Sequence, residues 1–227
     1  MQHSCKFRLA HLSRAWHFSR MKFANLFSVL NTLILFWSIQ GFAYFSHHAT
    51  GNLITQRDFN LTATIQQITN PDSATNVVGY IDSGFSDSAN IRAIIGVGKK
   101  DFQLGGMYKW VPVPDYENQP AMGLMYGALY VSDDDSSELN LRLHPFVSKN
   151  FETTLGQFNA YAALPMGIRK FDGDSDFPIQ FVVGAELEKS NHPNIGFTAE
   201  VGMDFHKAFT YFSVGLLYKF SEAGPKF

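Results

Sequence analysis

Few positions in this 227-residue sequence bring together groups that could react. Arg142 and His144 stand two apart, and Ser148 follows just beyond Phe146, so a base and a hydroxyl share one neighbourhood. A working nucleophile also needs a carboxylate that orients the base, all within hydrogen-bond reach. No local arrangement specifies one, and His144 reads as interior packing. The run "DGDSD", Asp172 to Asp176, opens like a calcium loop but lacks the later Glu that completes an EF-hand. It reads as a solvated acidic loop, as does "DDD", Asp133 to Asp135. His192 and His206 have the surroundings of turn residues. "YKWVPVPDYENQP", Tyr108 to Pro120, carries three prolines. Proline donates nothing to a ladder, so this stretch reads as a strand end and a rigid turn. No residue is assigned here to catalysis, to a metal or to a cofactor.

What could position side chains in this chain is alternation with a period of two, the mark of a two-faced strand. In Phe59 to Gln66, Phe59, Leu61, Ala63 and Ile65 oppose Asn60, Thr62, Thr64 and Gln66. The same pattern recurs from Ala89 to Gly98, with Ile94 the exception, and from Phe102 to Trp110. It returns in Met122 to Tyr130, Leu139 to His144, Gln157 to Leu164, Ile179 to Glu188, Asn194 to Phe205 and Thr210 to Phe220. A weaker run covers Val77 to Ser83. The breaks between them carry turn residues: "NPDSAT", "SDSA", "PVPDYENQP", "SDDDSS", "FDGDSDFP" and "SNHPN". The expectation is an all-β chain, a closed antiparallel up-and-down barrel of about ten strands, with eight to twelve as the range.

Alternation leaves open which face is inside. Lipocalin-like barrels turn the apolar face toward a ligand cavity. Transmembrane barrels turn it toward lipid and fill the lumen with the other face. Here the polar face is small and mixed, unlike the Lys- and Glu-rich exterior of a soluble domain. Asp82, Arg92, Lys109, Arg142, His144, Glu186, Glu188, Glu200, Asp204 and Lys219 fall on it, so an internal polar network of both signs is expected. Aromatic residues crowd the apolar face near strand ends (Phe59, Phe102, Trp110, Tyr126, Tyr130, Phe205, Tyr218, Phe220), as an interfacial girdle would require. Runs of roughly 9–11 residues are also the length a tilted strand needs to cross hydrocarbon. These features favour the transmembrane arrangement.

Charged residues are 17%, low for a soluble chain. Met21-Lys22 precedes an apolar run from Phe23 that ends in Gly41 and Ala43, a small-x-small exit. That is the form of a secretory signal peptide. A transmembrane anchor is the alternative, but the run is short and broken by Asn31, Thr32 and Ser38. Residues 1–43 therefore read as an extension plus signal, with translation starting at Met1 or at Met21. Cutting after Ala43 leaves 184 residues. Five of the 18 Lys/Arg and none of the 20 Asp/Glu fall in the removed part, so 13 basic and 20 acidic residues remain, net −7. Such a surface does not suit nucleic acid. The single cysteine, Cys5, lies in the removed part, so an exported chain would be stabilised without disulfides. Residues 44–57 read as a flexible lead-in, 58–220 as the barrel and 221–227 as a tail.

The signal, the serial alternation and a last strand ending Leu216-x-Tyr218-x-Phe220 resemble a small Gram-negative outer-membrane β-barrel of the OmpA/OmpW type. The resemblance implies an outer-membrane location, with membrane lipid, lipopolysaccharide and the barrel-assembly machinery as partners. It implies that Leu216, Tyr218 and Phe220 form the C-terminal assembly signal. The family's signal ends the chain, whereas "SEAGPKF" follows Phe220 here, so either the tail is tolerated or Phe227 is the terminal aromatic. The expected role is structural, or that of a narrow, porin-like channel for small solutes, without catalysis. Small barrels of this size have largely filled interiors. The alternatives are a secreted or periplasmic lipocalin-like barrel that binds an apolar molecule, and an outer-membrane lipid-modifying enzyme.

Overall fold

In the computed structural model, residues 47–70, 73–98, 102–133, 136–171 and 173–221 are described. They form β1 (Asp58–Asn70), β2 (Ala74–Ser86), β3 (Ala89–Val97), β4 (Phe102–Val113), β5 (Ala121–Asp133), β6 (Ser136–Thr153), β7 (Gly156–Ala163), β8 (Met166–Phe171), β9 (Asp174–Asp176), β10 (Ile179–Lys189), β11 (Ile195–His206) and β12 (Thr210–Ser221). Every expected strand is present. The expected signal segment, Asp134, Asp135, Asp172 and the tail with Phe227 lie outside the described residues.

Strands β1 to β7 pair in sequence order, β7 pairs with β10, and β10, β11 and β12 follow in turn. The ring closes where β12 pairs antiparallel with β1, from Phe59 opposite Phe220 to Gln66 opposite Ser213. The result is a closed antiparallel barrel of ten strands.

The two remaining strands continue this ring without widening it. β6 is 18 residues long. Its second half pairs with β7 and its first half with β8, so β8 prolongs the line of β7. β9 prolongs β10 in the same way, with Asp176 opposite Arg169 and Ile179 opposite Met166. The interruptions fall at Pro145, Pro165 and Pro178 on neighbouring strands, because proline has no N–H to give the ladder. Their carbonyls still accept: Leu164 N–H donates to Pro145 O at 3.0 Å, and Gln180 N–H to Pro165 O at 2.9 Å. The stretch "FDGDSDFP", expected to be only a turn, therefore contributes a strand. Asp174 and Asp176 sit in that hairpin rather than in an open cation loop. Its turn contains Gly173, whose φ of 91° favours glycine.

The apolar face looks outward around the ring. Ile65, Ile81, Ile95, Leu104, Leu141, Val201 and Val214 are all exposed. Aromatic residues gather at both ends of the wall. At the end where β1 begins and β12 finishes, Phe59 stacks on Phe220 at 5.4 Å and Tyr108 lies 5.3 Å from Tyr126. At the opposite end, Phe181 meets Phe205 edge-on at 6.4 Å. This is the inside-out pattern of a transmembrane barrel. The lipocalin-like alternative turns this apolar face inward instead.

The interior is not uniformly polar. Val78, Ile94, Met107, Val111, Met125, Leu129 and Phe146 form an apolar patch on the inner face of β2 to β6. Ala49 packs within that cluster and Leu53 against it. Residues 47–57, expected to be a flexible lead-in, thus lie along the lumen. His47, His48, Ala49 and Thr50 are buried there. The reason is chemical: the wall offers this segment both an apolar seat and partners for its backbone.

Candidate functional site

The site is the lumen together with the segment inside it. A backbone threaded through a barrel brings N–H and C=O groups that must find partners, since burying them unpaired is costly. The wall side chains supply these partners, and nearly all of the contacts are to main-chain atoms.

Glu200, on the inner face of β11, is the central acceptor. Its Oε1 takes the N–H of His47 at 2.6 Å, and its Oε2 takes that of His48 at 2.7 Å. The hydroxyls of Tyr161 and Tyr211 also donate to it. Those two rings lie flat across strands that have glycine at the point of contact. A Cβ on Gly184 would come 2.2 Å from Tyr161 Oη, and one on Gly202 would come 2.1 Å from Tyr211 Cε1. Four donors thus converge on one buried carboxylate and compensate its charge.

The carbonyls are met by cations on the other side. Arg92 binds Asp82 through two hydrogen bonds, Nε to Oδ1 at 2.7 Å and Nη2 to Oδ2 at 3.0 Å. The same guanidinium donates to His47 O at 2.5 Å and to His48 O at 3.2 Å, and lies 5.0 Å above the Tyr80 ring. Lys109 Nζ donates to Asn52 O at 2.5 Å and Thr50 O at 3.3 Å. Ser148 Oγ accepts the Gly51 N–H at 2.7 Å, and Asn90 Oδ1 accepts that of Ile54 at 3.2 Å. Gly51 itself runs so close to the wall that a Cβ there would sit 2.5 Å from the Ala121 Cβ. At the exit, Gln56 forms a parallel bridge with Gly84.

The structure brings Asp82, Arg92, Lys109, Arg142, His144, Glu186 and Glu200 into the interior, all buried. His144 packs edge-on against the His47 ring, with centroids 4.3 Å apart. Ser148 is engaged by Gly51 instead of by His144. Lys219 and Glu188 form an ion pair of 2.5 Å and are half-buried. Asp204 is the exception among the expected network. It is exposed at the end of β11, and its Oδ1 accepts the Ala208 N–H at 2.9 Å, so it orders the β11–β12 turn. Leu216, Tyr218 and Phe220 are exposed on the outer face of β12. Glu200 and Lys109 serve the threaded backbone, while Arg92 with Asp82 and Lys219 with Glu188 form ion pairs.

Two further clusters lie at the rims. Asp176 binds Arg169 Nη2 at 2.9 Å and Lys207 Nζ at 2.6 Å, which occupies the carboxylate that a cation loop would need. In the β4–β5 turn, Asp115 Oδ2 accepts the Asn150 N–H at 2.7 Å and its Oδ1 pairs with Lys149. Partial burial would raise the pKa of Asp115, but the hydrogen bonds from Lys149 and Asn150 outweigh it and hold the carboxyl below its usual range. Lys149 also donates to Glu117 O at 2.6 Å, so the proline-rich stretch is the braced turn expected of it.

No protein-family model matches the chain, and no curated protein matches it. Among solved structures it is similar to a de novo designed transmembrane β-barrel, at 13% identity and a TM-score of 0.39, over 74% of this chain and 99% of that one.

Proposed function

We propose that the chain is an integral outer-membrane protein, exported on residues 1–43. Its barrel has a structural or narrow-channel role and is closed at rest by its own residues 47–56. What carries the reading is the sidedness of the wall. Apolar side chains face outward around the ring, while the buried charges face inward onto a threaded backbone. A surface of that kind is stable in hydrocarbon and a liability in water. Closure follows from the contacts of the segment, which spans the lumen from Glu200 to Gly84.

In this reading Leu216, Tyr218 and Phe220 present the assembly signal, and lipid and lipopolysaccharide surround the belt. His144 is a packing residue beneath His47. Fractionation tests the location. Recovery in a carbonate-washed outer-membrane fraction is the expected result, and detergent-free solubility would remove the reading.

A further inference from the structure

Between the threaded segment and the wall lies a cavity of about 280 Å³, reaching the rim at Asp58, Asn194 and Phe220. Four carboxylates (Asp58, Asp82, Glu186 and Glu188) and three cations (Arg92, Lys109 and Lys219) line it. Each cation is already engaged: Arg92 by Asp82, Lys219 by Glu188, and Lys109 by the carbonyls of Thr50 and Asn52. Glu186 is buried, and among the described residues no cation lies at ion-pair distance from it. Glu186 shares a hydrogen bond with Glu188, so these two carboxyls have one paired cation, Lys219, between them, and a second cation could take the place of the shared proton.

Two more groups in the same cavity have lone pairs to offer. Thr198, directly across from Glu186 on the neighbouring strand, is 4% exposed, and its Oγ1 has no hydrogen-bond partner among the described residues. His48 is 5% exposed, and neither ring nitrogen has a partner among them. Buried polar atoms of folded chains are seldom left unpaired. A carboxylate, a hydroxyl oxygen and an imidazole nitrogen facing one compartment are three acceptors. A primary ammonium carries three N–H donors and a single positive charge.

We propose that this cavity is a binding site for a small primary ammonium, held by Glu186, Thr198 and His48. Glu186 supplies the charge, and the other two select a donor over a merely cationic group. The probe is n-propylammonium chloride, titrated calorimetrically into the purified full chain in detergent. Tetramethylammonium, equally charged but without a donor, is the comparison. The expected result is saturable one-to-one binding of propylammonium and none of tetramethylammonium. Glu186→Gln should weaken binding about tenfold or more, since charge-assisted hydrogen bonds are the strong ones. Thr198→Val, which keeps the shape, should weaken it several-fold. Absence of saturable binding to the unaltered chain, or equal binding of tetramethylammonium, would overturn the proposal. So would full affinity in Glu186→Gln. If Glu186→Gln fails to fold, by the strand signal in circular dichroism, full affinity in Thr198→Val overturns it.

Discussion

The carboxylate of Glu200 holds the backbone N–H of His47 at 2.6 Å across 153 positions of sequence. It takes the neighbouring His48 N–H as well, so one wall residue fixes two successive peptide groups of the threaded segment. Glu200→Gln replaces one of those oxygens by an NH₂ that faces donors. Buried donors left without an acceptor cost about 1–3 kcal/mol each. The expected outcome is a barrel that still forms but protects the His47 and His48 amides far less against hydrogen exchange. Unchanged protection would mean that the segment is held by its apolar seat alone.

The strands were plain in the sequence because alternation is a local signal that needs only neighbouring residues. The inner charges were plain for the same reason: Arg92 and Glu200 fall on the polar side of their strands. The threaded segment was not. Residues 47–57 have no period, and their partners, from Gln180 and Glu200 to Arg92 and Lys109, come from strands far along the chain. Adjacent histidines followed by Gly-Asn look like any polar linker. β8 and β9 were hidden differently. Asp, Gly and Ser around Gly173 have turn composition, and Pro145 makes β6 seem to end early, although the chain runs on past it. Gly184 and Gly202 fall on the polar side of their strands, and only the structure shows Tyr161 and Tyr211 lying against them.

The outward belt can be tested at one position. Ile65 is 55% exposed on β1, next to the middle of the strand. In water, an exposed Ile→Arg change would be nearly neutral, within about 0.5 kcal/mol. In a bilayer, arginine near the midplane of a barrel wall costs about 2–4 kcal/mol. Ile65→Arg should therefore lower folding stability in lipid vesicles by about that amount. A near-zero cost would contradict lipid contact there.

The braced turn gives a pH dependence. The Asp115 carboxyl has a folded pKa below its ordinary 3.8. Its stabilisation is therefore complete above the unfolded value and is lost as pH falls through the lower folded one. Asp115→Asn should melt below the unaltered chain at neutral pH, by a gap that stays constant down to about pH 5 and closes on further acidification. A gap independent of pH to about pH 2 would show that shape, not charge, braces the turn.

The last strand carries a kinetic expectation. Phe220 stacks on Phe59 and lies 6.4 Å from Tyr218, all on the outer face where the ring closes. Phe220→Ala should slow assembly in cells, seen as accumulation of unfolded precursor before the barrel appears. An unchanged rate would remove Phe220 from the assembly signal and favour Phe227.

Conductance of the full chain in planar bilayers tests closure of the lumen most directly. Unaltered protein should insert and show no steady open channel, while Glu200→Gln should show intermittent openings as residues 47–56 loosen. A large, steady conductance from the unaltered chain would contradict a lumen closed by its own segment.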